Sequence, residues 1–184
     1  MRNALVALTL LCAASSILAV PPAPPPDWRA KVAESMPLLG HRNWILIVDS
    51  AYPLQTSPGI ETIETNTNQI EVVRQVLAAI NNSIHARPVI YMDAELPFVP
   101  EADAPGASAY RREIGDMLAP YNIESLPHEK IIANLDDAGK VFHILVLKTT
   151  MAVPYTSVFI RLDCKYWSAD AERRLRAKMS AAGK

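Results

Sequence analysis

Residues 43–48 read Asn-Trp-Ile-Leu-Ile-Val, a nearly unbroken apolar run that stops at Asp49. The run is too short for a core helix and lacks the alternation of a strand with one wet face. It therefore predicts a strand buried on both faces, which needs a layer of structure above and below it. The rest of the chain supplies those layers. Trp28, Val32, Met36 and Leu39 recur at helical spacing behind Asp27, a good N-cap, with Pro37 set to kink or end the helix and Gly40 to close it. After a loop over 50–59 that holds two prolines, residues 60–65 alternate as a short strand. Residues 68–81 carry helical periodicity through Ile70, Val73, Val76, Leu77 and Ile80. A buried strand is expected over 88–92, an irregular excursion rich in proline and acids over 95–106, and a helix over 108–118. A further helix starts at His128, the apolar run 141–148 (VFHILVLK) predicts a strong strand, and a turn at Pro154 leads into a last strand over 157–162. Helix and strand alternate, which is the pattern of an α/β layered domain with a central sheet of at least four strands and flanking helices.

The two ends of the chain read differently from this middle. Arg2, the apolar run Ala4–Leu11 and small residues up to Ala19 predict an export signal over 1–19 that is cleaved after Ala19. The apolar stretch is shorter than the roughly 20 residues a spanning helix needs, so no stable membrane span is expected once the signal is removed. Residues 20–26 (VPPAPPP) predict an extended linker, and the folded domain spans 27–168. Residues 169–184 hold Arg173, Arg174, Arg176, Lys178 and Lys184 and predict a solvated basic tail. The expected location is periplasmic or extracellular. Asn81-Asn82-Ser83 is then a glycosylation sequon in a host that modifies exported proteins. Without the signal, Cys164 is the one remaining cysteine, so no internal disulfide forms, and its apolar neighbours predict a buried thiol.

Charge and motifs exclude several chemistries. The formal net charge is −1, with no basic block outside the tail, so no nucleic-acid partner is expected. The chain has no GxGxxG, no GxxxxGK[ST], no HExxH, no CxxC and no GxSxG. The four histidines, His41, His85, His128 and His143, lack close metal-ligand spacing. Neither a cofactor nor a metal is expected.

Two segments carry chemistry in a recognisable order: LGHRNWILIVDSAYP over 39–53 and SLPHEKIIANLDDAGKVFHILVLKTTMAVPYTSVFIRL over 125–162. Together they resemble the ribose pyranase and fucose mutarotase (RbsD/FucU) family. Its members carry a Gly-His pair before an apolar strand, an aspartate after that strand, and a late His-Glu segment followed by a tyrosine that opens the last strand. The resemblance extends over about 31–162, and the middle, 97–107, aligns poorly.

The resemblance implies an isomerase that interconverts ring or anomeric forms of a free monosaccharide by acid–base catalysis, in a ring-shaped homo-oligomer whose sites lie between subunits. It makes His41 the catalytic acid/base, a role an imidazole suits because its ordinary pKa, about 6.5, lets it give or take a proton near neutrality. A residue that follows a helix cap and satisfies local backbone groups is the other reading of His41. Asp49 is implied to orient that histidine or hold a sugar hydroxyl, where an Asx-turn carboxylate is the alternative. Substrate-binding roles are implied for Asn66, His128, Tyr155 and Ser157. Three positions depart from the family pattern: Ser157 stands for the carboxamide of Tyr-x-Asn, Asn66 for an acid with Glu64 nearby, and Ile132 for a lysine. These departures leave open a non-catalytic carbohydrate-binding or assembly protein on the same scaffold.

Overall fold

The structure is a computed structural model that describes residues 27–183; the expected signal and the expected linker lie outside the described residues. Twelve elements follow in order: α1 (Trp28–Ser35), β1 (Trp44–Val48), β2 (Ile60–Glu64), α2 (Gln69–Asn82), β3 (Ala86–Asp93), a 3-10 turn (Leu96–Phe98), α3 (Ala107–Leu118), β4 (Ile123–Leu126), α4 (His128–Ala138), β5 (Ile144–Lys148), β6 (Val158–Cys164) and α5 (Ala169–Ala181). The six strands form one sheet in the order β2-β5-β1-β6-β3-β4. Pairing is parallel for β1–β5, β2–β5 and β3–β4, and antiparallel for β6 against both β1 and β3. Five strands therefore run one way and β6 alone runs back. The carboxyl ends of five strands, together with the loop entering β6, gather along one edge of the sheet.

β1 is buried along its whole length, as its apolar run predicts, because it lies between β5 and β6 with helices on both faces. Ile45 and Ile47 point to the face that α1, α2 and α3 cover, and Trp44, Leu46 and Val48 point to the face that α4 covers through Ile131 and Leu135. The alternation of β1 thus divides one apolar run between two cores. α1 ends at Ser35, short of the 39 its periodicity reaches, since Pro37 cannot continue the hydrogen-bond ladder. Leu39 is still buried, packed as part of the turn that follows.

β4 is a strand the sequence reading lacks. It is four residues long, at the sheet edge, and three of its residues are exposed, so neither an apolar run nor an alternation marks it. Cys164 departs from expectation as well. It is half-buried as a free thiol, because it closes β6 at the end of the sheet where α5 buries none of its own residues. Gly59 marks a close approach at the same end: a Cβ there would meet the carbonyl oxygens of Gly139 at 2.6 Å and Phe142 at 2.8 Å. Among the described residues no helix is long and apolar enough to cross a membrane.

Candidate functional site

A cavity of about 540 Å³ opens at the edge where the parallel strands end. Ligands of open α/β sheets collect at this edge because the loops there leave backbone groups and short side chains free of the ladder. Asp49, the first residue after β1, lines it. Its Oδ1 accepts from Ala51 N–H at 2.8 Å in an Asx turn, so its local role and its place on the cavity wall go together. His128, the first residue of α4, lines it from the other side.

The position of His128 follows from β4. Register pairs Asp93, the last residue of β3, with Leu126, and two residues later the chain turns into α4 above the Asp93 carboxylate. Pro127 carries no capping side chain, and Glu95 caps the helix instead: both its carboxylate oxygens accept from His128 N–H, at 3.0 and 3.1 Å. Nδ1 of His128 lies 3.0 Å from Oδ1 of Asp93. Asp93 is 2 % exposed, and its Oδ2 has no hydrogen-bond partner among the described residues. Burial pushes this carboxyl up to about 6, against the opposing pull of His128. In the tautomer with its proton on Nδ1, His128 donates to the Asp93 carboxylate and turns Nε2 outward as an acceptor.

Tyr155 stands edge-on to His128, ring centroids 5.7 Å apart at 82°. Its φ of 59° is left-handed, a strained state for a tyrosine that the surroundings must enforce. A buried polar network does so. The Thr156 carbonyl accepts from Tyr110 Oη at 2.6 Å and from Gln69 Nε2 at 2.5 Å, Gln69 Oε1 accepts from Thr149 Oγ1, and Thr156 Oγ1 donates to Val153 O. With every partner satisfied, such a network fixes the loop before β6. Desolvation drives the Tyr110 phenol far up, so it stays a donor at any ordinary pH. Tyr52, also on the cavity wall, is pushed up to about 12 by burial first and by Asp136, Asp49 and Asp93 after it.

The lining holds the carboxylates of Asp49 and Glu129 and, among the described residues, neither lysine nor arginine. Lys148, nearby, donates to the Tyr52 carbonyl at 2.8 Å. Ile132, where the resemblance expects a lysine, forms part of the wall. A neutral polyhydroxy ligand fits this lining better than a phosphorylated one.

Three of the expected site residues do not line this cavity within one chain. His41 sits before β1, at the opposite end of the strand from Asp49, with β1's length of roughly 16 Å between them. Its Nδ1 is 2.8 Å from Asp163 Oδ1, and Arg87 holds Oδ2 of the same carboxylate. In a single chain Asp49 therefore does not orient His41. The Gly-His pair belongs to a tight turn: Asn43 N–H donates to Gly40 O, Asn43 Oδ1 accepts from Gly40 N–H, and Arg42 takes φ 78°. Asn66 is exposed at φ 50° in the turn after β2, on the edge strand, a conformation asparagine tolerates better than most residues. Ser157 is 2 % exposed and immediately precedes Val158, which pairs with both Ile47 and Met92. Asp49, His128 and Tyr155 are brought together. Asp93 was missed, because only the unrecognised β4 sets His128 beside it. Among the described residues no three metal-ligating side chains cluster.

The fold has solved counterparts. RbsD of Bacillus subtilis, solved complexed with D-ribose, superposes with a TM-score of 0.54 at 16% identity, over 73% of this chain and 92% of that one. FucU of Bifidobacterium longum reaches 0.49 at 14% identity over 72% and 92%, and the fucose mutarotase of Streptococcus pneumoniae, solved with L-fucose, 0.45 at 16% over 71% and 89%. The fold is RbsD-like, on the strength of the first of these. No protein-family model and no curated protein matches the sequence.

Proposed function

We propose that this chain is a sugar isomerase of the mutarotase or pyranase kind, acting on a neutral free sugar in the cavity at the carboxyl edge of the sheet. The observation that carries the reading is the His128–Asp93 pair, a half-exposed imidazole oriented by a buried carboxylate on the wall of a cavity without cations. Ring opening needs a base at the anomeric hydroxyl and an acid at the ring oxygen. His128 Nε2 takes the hydroxyl proton, the C1–O5 bond breaks to the open aldehyde, and the ring oxygen receives a proton. Asp49 and Tyr155 hold the remaining hydroxyls. Reclosure on the other face of the aldehyde returns both protons and gives the other anomer.

The donor to the ring oxygen is His41 of a second copy. This accords with the resemblance, which assigns catalysis to His41 and places sites between subunits of a ring. It also accords with the exposure of the His41 side chain, 50%, at the far end of the sheet. Export to the periplasm or the cell exterior is part of the same proposal. Saturation-transfer NMR with ribose, fucose and other free sugars tests the reading, with accelerated anomer exchange in at least one sugar as the expected result. Exchange no faster than buffer with every sugar sinks it. Calorimetric binding without accelerated exchange supports instead the second reading, a non-catalytic carbohydrate-binding protein, which the distance of His41 from the cavity favours.

A further inference from the structure

We infer that the cavity continues into a second subsite and that the substrate is a reducing disaccharide rather than a bare monosaccharide. The inference rests on the sugar reading above and names its substrate class. A cavity of about 290 Å³ adjoins the first, with Pro154 and Tyr155 lining both. Glu95, Phe98, Val99, Pro100, Asp103 and Ala104 make its other walls. Its volume is close to the lower bound of ordinary ligand pockets, roughly 300 Å³, and suits one ring.

These walls are built rather than loose. Arg111 Nη1 donates to the carbonyls of Leu96 and Val99, at 3.3 and 2.8 Å, and its Nη2 to Ser108 Oγ. The Glu101 carboxylate accepts from Gly106 N–H at 2.6 Å and Ser108 N–H at 2.7 Å, which holds the acid down to about 2. Val99, Ala104 and Ala107 pack with Val153 in a small core of their own. The excursion over 95–106 and the loop that carries Tyr155 therefore pack together beside both cavities.

The chemistry of the walls selects a second sugar ring. Phe98 is 82% exposed at the rim, and an aromatic face attracts the partly positive axial C–H face of a pyranose. Asp103 is exposed beside it and offers a carboxylate to hydroxyl donors. A linkage to O4 or O6 of the reducing ring leaves its O5 and anomeric hydroxyl free, so the opening and reclosure described above proceed unchanged. An O4 linkage blocks the furanose form. The reaction of such a substrate is exchange between pyranose anomers.

The test compares lactose, maltose, melibiose and a galactose-ended disaccharide with their reducing-end sugars, glucose and galactose, by calorimetry and saturation-transfer NMR. At least one disaccharide is expected to bind about five- to tenfold more tightly than its reducing-end sugar, the size of one aromatic contact. Phe98→Ala removes that gain and leaves the monosaccharide affinity unchanged, and Asp103→Asn reduces it. Disaccharides that bind no better than their reducing-end sugars overturn the second subsite alone, as does a gain that survives both substitutions. Absence of binding and of exchange with every sugar overturns the sugar reading and the subsite with it.

Discussion

The two ends of the sheet carry the same pair of groups in opposite settings. At the carboxyl edge His128 meets an aspartate whose side chain is wholly buried; at the amino edge His41 meets Asp163, one-fifth exposed and shared with Arg87. Burial raises Asp93 to about 6, and the opposing pull of His128 does not offset it. At Asp163 burial also pushes upward, but the Arg87 guanidinium, the Cys164 N–H and His41 outweigh it and leave the carboxyl below its ordinary range. The first carboxylate is buried against a single histidine at the cavity, and the second is shared between Arg87 and the exposed His41. Residue types alone do not separate these two settings; burial and the presence of a third charge do.

The strongest way to break this contrast is to remove each histidine. His128→Asn should lower anomer exchange at least about 100-fold with the fold intact, the usual loss for a general base. His41→Ala should do the same only if it serves the cavity of a second copy. Mixing the two inactive variants then restores a fraction of the exchange, since some sites regain both residues. No recovery on mixing, with His41→Ala fully active, confines catalysis to the carboxyl edge.

Asp93→Asn sharpens the difference in proton affinity. The unfolded carboxyl titrates near its ordinary value of 3.8 and the folded one near 6, so the folded state binds the extra proton between those values. Asp93 therefore costs stability progressively as pH rises from about 4 to about 6, on the order of 3 kcal/mol in full. Thermal melts should show the Asn variant gaining on the wild type by that order across the window and staying level above it. A flat difference would mean that Oδ2 is solvated after all.

Gly59→Ala is expected to cost about 2 kcal/mol, the ordinary penalty of overpacking, because two carbonyl oxygens occupy the space of its Cβ. Denaturant unfolding measures it. The smallest effect is Arg87→Ala. Exposed ion pairs contribute about 0.2–1 kcal/mol, so stability should drop within that range and the drop should shrink at high salt.

Much of this architecture is legible in the residues. The double burial of 44–48, the helical repeat through Ile70 to Ile80 and the irregular stretch from Glu95 all correspond to observed elements. The departure at Ile132 also lands on the cavity wall. β4 escaped because an exposed edge strand of four residues has no apolar pattern to read, and with it escaped the pairing that puts Asp93 under His128.

By itself the sequence determined the alternation of helix and strand, the strand that must be covered twice, and the candidates Asp49, His128 and Tyr155. The first two follow from local periodicity, and the candidates from the resemblance of two segments to a known family. Only the tertiary structure decided that Asp93 is the partner of His128, that Tyr155 is held in a left-handed conformation, and that His41 faces away from the cavity. Each of these depends on strand register and burial. Both are set by contacts between residues tens of positions apart, which no local pattern records.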